Sequence, residues 1–321
     1  MDNMKYMKFF LIIMALIISC TNSDQKQNIH NIADYVIAYN VAVNIENDDY
    51  DIWTADPVSG VRKNITNHKD VAWTYRAAGN KILFISDRDT SKRNYYLYEM
   101  NVDGSGIRKI NDFRLSDSWM DTRFDDSEII VTPHRSVDSV FYIINRDGNL
   151  LNKISTGLPY SNDPVFSPNG NQIAFRGASK KSKREAGFDE AIYLIKADGS
   201  GLTRLTHYPE ADTTAPWYAY KAGPPQWHPT ENFISFQSFQ NGKYSLYAVT
   251  PDGQKQWKLT NNEMQEGYHE WSPDGNWLAI ELFNKDQTQF HIGLMDWQNK
   301  TMKILTDTSY VYQQAPVFVI K

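Results

Sequence analysis

Cysteine is almost missing from this chain: Cys20 stands alone among 321 residues. A single cysteine excludes a disulfide within the chain and a cysteine-rich zinc site. Long hydrophobic runs are missing too. The apolar stretch from Phe9 to Ile18 has about ten residues, too few for a comfortable membrane-spanning helix. Positive charge is in short supply, with a formal net charge of -5. A nucleic-acid protein would normally carry a basic domain or face, so no nucleic-acid partner is expected. Several catalytic signatures are absent as well. His269-Glu270 runs on into Trp271-Ser272-Pro273, not into the second histidine of a His-Glu-x-x-His zinc site. There is no Gly-x-Ser-x-Gly elbow, and no glycine loop that would cradle a phosphate before a helix.

What is present begins at the N-terminus. Lys5 and Lys8 precede the apolar run, which ends in Ile17-Ile18-Ser19-Cys20. Branched aliphatics, a small residue and a cysteine in that order resemble a bacterial lipobox. The resemblance implies a signal peptide over 1–19, lipid on Cys20 and attachment to a membrane through it. Thr21, not Asp, follows the cysteine. In lipoprotein sorting that pattern implies the outer membrane, on its periplasmic or cell-surface side. Residues 20–31 are polar and read as a tether. Residues 32–321 then form the folded domain.

Internal repeats organise that domain. Asp163-Pro164-Val165-Phe166-Ser167-Pro168-Asn169-Gly170 recurs as Tyr268-His269-Glu270-Trp271-Ser272-Pro273-Asp274-Gly275, each followed by an apolar strand. Trp227-His228-Pro229 is a looser copy, and weaker ones centre on Trp73 and Phe124. Proline presets φ and glycine accepts positive φ, so each copy reads as strand, tight turn, strand. The aromatic markers Trp73, Phe124, Phe166, Trp227, Trp271 and Phe318 read as core. They recur roughly every 42 to 61 residues, the spacing of propeller blades.

A second half-unit follows each first one. It has an aromatic-rich strand, often an Asp-Gly turn as at Asp103-Gly104 and Asp198-Gly199, and a strand ending in an aliphatic-Thr pair such as Ile65-Thr66 or Leu205-Thr206. Asp-Gly between apolar runs is a strong hairpin signal. Four strands per unit and six units predict an all-β fold, a six-bladed β-propeller. The first unit lacks its first strand, and the chain stops after Ala315-Pro316-Val317-Phe318-Val319, which matches one. The C-terminal strand is therefore expected to complete blade one. The repeats resemble those of TolB-like propellers over nearly the whole domain. That family resemblance implies fold more than function, because such propellers carry many activities.

With strands lettered A to D outward from the channel, the A–B and C–D turns share one face and the B–C loops and D–A links the other. All the long segments fall on the second face, where a site is expected. They carry Arg176 ahead of a basic stretch at 180–184, His134-Arg135, His207-Tyr208, Trp217-Tyr218, Lys221 and Tyr268-His269. Aromatics give stacking surfaces and cations give carboxylate partners. Together they predict an anionic oligosaccharide as ligand, held by Arg135, Arg176, Trp217, Tyr218 and Lys221. His269 stands out because blades two, three and four have Asp70, Asp121 and Asp163 three residues before the marker, whereas blade six has Tyr268 and then His269. His228 reads as structural and His291 as packing.

The segment from Gln265 to Gly275 resembles the Gln/His-bearing segment of oligogalacturonate lyases. That resemblance implies β-elimination on a uronic-acid-containing oligosaccharide. His269 and Tyr268 are the leading acid–base candidates, and His134 and His207 the alternates. Those lyases bind a metal at this segment with more histidines than are present here, so their site is not carried over; only His269 and Gln265 match, and they are the candidate ligands should a divalent metal bind. A carbohydrate-active lyase or dehydratase is therefore the leading expectation; the alternative, a non-catalytic propeller of the TolB kind that binds a glycan or an envelope protein, fits the sequence nearly as well.

Overall fold

In the computed structural model, residues 31–180, 190–207, 209 and 215–321 are described. The expected signal peptide, Cys20 and nearly all of the tether lie outside them, as do Tyr208 and residues 181–184. Among the described residues no helix is long and apolar enough to cross a membrane.

The chain folds into six four-stranded antiparallel sheets. Blade two runs through Ala72–Ala78, Lys81–Ser86, Tyr96–Asn101 and Arg108–Lys109. Blade three uses Asp121–Arg123, Glu128–Val131, Phe141–Asn145 and Leu150–Ile154. Blade four uses Tyr160–Phe166, Gln172–Ala178, Ala191–Lys196 and Thr203–Arg204. Blade five uses Gln226–Trp227, Ile234–Gln240, Lys243–Val249 and Gln256–Lys258. Blade six uses Gln265–Trp271, Trp277–Phe283, Phe290–Asp296 and Thr301–Ile304.

Blade one closes the ring as the repeat pattern predicts. Its strand A is the C-terminal Gln313–Ile320, paired with Tyr35–Asn44, which continues into Asp49–Ala55 and Arg62–Asn64. Phe318 lies opposite Ile37, and Val319 opposite Val36. Pairing the first and last described strands within one sheet gives blade one its inner strand, so the outer edges that remain open are those of short strands.

The aliphatic-Thr endings have a physical reason. In blade four, Leu205 is buried and its N–H donates to the Ile192 carbonyl at 2.8 Å. The Thr206 hydroxyl then accepts from the Ile192 N–H at 2.9 Å. Thr66 with Ile52 and Thr306 with Ile292 repeat the arrangement, and the Asn111 side chain replaces the hydroxyl in blade two. A side-chain oxygen thus ends strand D without leaving a buried N–H unpaired.

Two marker aromatics sit elsewhere than expected. Register pairs Phe166 with Ile173 and Trp271 with Leu278. The matching positions are Ala77, opposite Ile82, and Thr122, opposite Ile129. Trp73 lies higher on its strand and stacks edge-on against Tyr50 and Tyr75. Phe124 is not core: it is 53% exposed, in the A–B turn, with φ 54°. The Asp series shifts with it. Asp163 belongs to the upper strand, Asp121 lies one level deeper, and Asp70 pairs with His68 in a link.

Candidate functional site

Bulges in the inner strands build the upper channel. Pairing slips between Thr74 and Arg76 in blade two, Asn162 and Val165 in blade four, and Glu266 and His269 in blade six. An extra residue at each bulge re-aims side chains toward the axis. Tyr75 and Tyr268 arrive this way, and Trp119 from the link into blade three lies between them. Its ring centroid is 4.2 Å from that of Tyr75 and 4.4 Å from that of Tyr268. Three aromatic rings from three blades thus meet across the channel.

On the link side of this stack lies a charged network. Asp163, fully buried at φ 56°, accepts from the Trp119 N–H at 3.0 Å and from Arg176 Nε. Arg176 Nη1 donates to Glu190 Oε1 at 2.8 Å, and the Tyr160 hydroxyl donates to the same oxygen at 3.2 Å. Lys221 Nζ is 4.0 Å from Glu190 Oε2 and 4.7 Å from the centre of the Trp217 ring. Burial lowers the Lys221 pKa, with Glu190 opposing. The Tyr75 hydroxyl donates to Asp117 at 2.5 Å, and burial raises the Asp117 carboxyl despite that bond. Burial, then the nearby Glu281, holds the Tyr268 phenol protonated. Glu281 itself is buried and pushed up to about 8 by desolvation, although the Ala315 N–H donates to it at 3.2 Å.

The structure brings Arg176, Tyr268 and, through Glu190, Lys221 with Trp217 and Tyr218 into one region. It leaves the histidines apart. His269 is 4% exposed, packed between blades five and six. Its Nε2 pairs with the Ser235 hydroxyl at 2.7 Å, and burial pushes its pKa down to about 3, with the Gly267 backbone opposing. The bulge turns His269 off the channel and into the blade interface, where a neutral imidazole fills a hydrogen-bonding role. His134 sits in a B–C loop with Nδ1 on the Ser136 hydroxyl at 2.8 Å, and Arg135 beside it is exposed. His207 is exposed in the link after strand D of blade four. Gln265 accepts from the Tyr244 N–H and donates to the Asn284 and Lys285 carbonyls, which occupies the amide expected near a metal. Among the described residues, no three His, Cys, Asp or Glu gather in a metal-binding group. His228, as expected, packs structurally, with its ring 4.4 Å from that of Trp271.

The other end of the channel, at the A–B turns, was not singled out by its short loops. There a cavity of about 440 Å3 opens among Arg76, Asp121, Gln226, Trp227, Glu270 and the turn prolines. Arg76 Nε lies 3.0 Å from Asp121 Oδ1, and Nη1 donates to Glu270 Oε1 at 3.3 Å across the channel. Each carboxylate also accepts a backbone N–H of the next blade's inner strand: Phe166 on Asp121 at 2.7 Å and Phe318 on Glu270 at 2.6 Å. One signal could have found one of these residues. It finds Arg76 alone, the only charge in the strand Ala72–Ala78; the same signal finds Glu281 of the upper channel, the only charge in Trp277–Phe283.

The comparisons with known proteins agree on architecture. No family model matches the chain. An uncharacterised protein of Agrobacterium fabrum, Atu1656, is 24% identical over 220 residues, covering 64% of this chain and 68% of that protein. The TolB of Acinetobacter baumannii superposes with a TM-score of 0.68 at 13% identity, covering 90% of this chain and 67% of its own. A protein assigned as TolB from Agrobacterium tumefaciens gives 0.60 at 15% identity, covering 85% and 88%. An oligogalacturonate lyase of Vibrio parahaemolyticus gives 0.49 at 10% identity, covering 81% and 72%. The protein is a six-bladed β-propeller of TolB-like architecture.

Proposed function

We propose that this protein is a non-catalytic propeller of the cell envelope that binds a glycan or an envelope protein at the link-side mouth. The carrying observation is that the two cations gathered beside the aromatic stack, Arg176 and Lys221, already face carboxylates, while the exposed Arg135 lies with His134 in a separate B–C loop. Arg176 is held by Asp163 and Glu190, and Lys221 lies beside Glu190. β-Elimination needs a cation ready for the sugar carboxylate and a base beside it. None of His134, His207 and His269 hydrogen-bonds to or pairs with Arg176 or Lys221 among the described residues. Trp217, 39% exposed beside the Lys221 ammonium, offers the flat surface on which a sugar ring or a partner's side chain packs. The lipobox-like segment and the likeness to TolB propellers support an envelope location, with lipid on Cys20 as its anchor.

The test is to incubate the full chain with uronate oligosaccharides and divalent metals while following unsaturated-uronate absorbance, and to titrate the same panel calorimetrically. Heat without product is the expected result for a glycan partner. Where no heat appears, a photo-crosslinker at position 217 in cells should trap one envelope protein reproducibly. Product formation, or silence in both arms, overturns the reading.

A further inference from the structure

The A–B end of the channel holds the cavity described above, on the opposite side of the aromatic stack from the mouth. We propose that the cavity around Arg76 binds a small carboxylate with an apolar body, its carboxyl group taking the place of Glu270 on the guanidinium. Exposure decides the sign of the ligand. Arg76 keeps 31% of its side chain accessible, against 10% for Asp121 and 7% for Glu270. An incoming molecule therefore meets the Arg76 guanidinium before Asp121 and Glu270; the half-buried Asp126, which accepts from the Thr122 hydroxyl at 2.5 Å, and Arg123 also line the cavity.

The guanidinium is also incompletely used. Nε lies 3.0 Å from Asp121 Oδ1 and donates to the Thr122 hydroxyl at 3.4 Å, and Nη1 reaches Glu270 only at 3.3 Å, while Nη2 makes no hydrogen bond among the described residues. Nη1 and Nη2 together form the fork that takes a carboxylate through two parallel bonds. The long Glu270 contact is the one such a ligand displaces. Glu270 would not be stranded, because the Phe318 N–H still donates to its other oxygen at 2.6 Å. The rim supplies the apolar contact: Trp227 with Pro229 and Pro273 from successive A–B turns. A volume of about 440 Å3 lies within the range of small-molecule sites.

Displacement has a proton cost that makes the site testable. Burial already pushes Glu270 up to about 7, with Arg76 opposing. The charged groups around it are Arg76 from blade two and Asp121 from blade three, with Asp126 facing Arg76; strand A of blade one contributes only the Phe318 N–H. When the ligand takes Arg76, Glu270 loses its cation and its still-ionised fraction takes up a proton from solvent, approaching one proton at about pH 8 and little at about pH 6. A carboxylate ligand stays ionised at these pH values, so binding tightens as pH falls from about 8 to about 6.

N-Acetyl-phenylalanine is the probe, with its amide and phenethylamine as controls and galacturonate as the acid with a polar body. They are titrated into the full chain by calorimetry in two buffers of different ionisation enthalpy. The expected result is binding of N-acetyl-phenylalanine with proton uptake, roughly tenfold weaker binding of galacturonate, and none of the amide or amine. Arg76→Lys should weaken the probe roughly tenfold, because an ammonium lacks the fork. Glu270→Gln preserves an acceptor for Phe318, and should bind at least as tightly with no pH dependence between about 6 and 8. Amide or amine binding as tight as the acid overturns the proposal. So does a Glu270→Gln protein that keeps the wild-type pH dependence, or an Arg76→Lys protein of unchanged affinity that still melts cooperatively.

Discussion

The two ends of the channel reverse the usual relation between loops and cavities. The link side has the long segments, the exposed indole of Trp217 and a closed network in which Asp163, Glu190, Arg176 and Lys221 meet one another. The A–B side has only tight turns, yet it holds a cavity and a guanidinium with donors to spare. Loop length marks where a surface varies; it does not mark where a polar group is left unpaired. The Tyr75–Trp119–Tyr268 stack lies between the ends, and each strand passes from that stack into the Arg76, Asp121 and Glu270 level.

The most drastic way to break this arrangement is to remove strand A of blade one. Deleting residues 314–321 takes away the partner of Tyr35–Asn44, the Phe318 N–H that Glu270 accepts, and the buried Val317, Phe318 and Val319. The ring then has open edges and unpaired buried backbone groups. The truncated chain should show no cooperative thermal transition by circular dichroism. A melting temperature equal to that of the full chain would refute closure as the source of stability.

Trp119→Ala comes next, because it removes the ring shared by the two ends. Large-to-small substitutions of a buried Trp cost about 3–5 kcal/mol, and Trp119 is packed against two tyrosines. Denaturant unfolding should show a loss in that range. A loss below about 1 kcal/mol would mean that the Trp119 ring is not packed between the two tyrosines as a core side chain.

Much of this arrangement is legible in the amino-acid sequence. Pro-Asn-Gly, Pro-Asp-Gly and Asp-Gly turns specify hairpins locally, so blade number, closure and loop sides follow from spacing alone. Side-chain direction at the bulges is not legible. A one-residue bulge reverses which face a residue takes, so His269, next to the mouth in sequence, turns into the interface, while Tyr268 reaches the axis. Trp73 and Phe124 mislead for a related reason: aromatics lie near the marker position in blades two and three, but register gives that position to Ala77 and Thr122. Arg176 does reach the mouth, though sequence could not reveal that Asp163 and Glu190 would claim it.

Glu281→Gln tests the electrostatics of the upper end more gently. The native carboxyl is raised to about 8 from an ordinary 4.5, chiefly by burial. The folded protein therefore holds this proton where the unfolded chain releases it. Its contribution to stability is full below about pH 4.5 and is lost as pH rises through about 8. Glutamine stays neutral throughout. The variant should match the wild type near pH 4.5 and exceed it at pH 9 by on the order of 1–3 kcal/mol. Denaturant unfolding at the two pH values measures this. Equal pH slopes in both proteins would show that Glu281 ionises freely in the fold.

Trp217→Ala should have the smallest effect on the fold and sharpens the comparison most. The indole makes an edge contact with Tyr218, whose own packing on Phe239 and Tyr244 does not depend on it. Loss of a partly exposed ring in a link should change stability by no more than about 1 kcal/mol. A buried interface tryptophan, in contrast, commonly contributes about 2 kcal/mol or more to binding, so affinity for the glycan or envelope partner should fall roughly thirtyfold. Affinity of N-acetyl-phenylalanine for the Arg76 end should stay within a factor of about two, since the aromatic stack and separate blades lie between. Partner binding that survives the substitution would move the mouth's contact surface away from Trp217. A parallel loss at the Arg76 end would mean that the two ends act as one site, with Tyr75, Trp119 and Tyr268 transmitting between them instead of closing the channel.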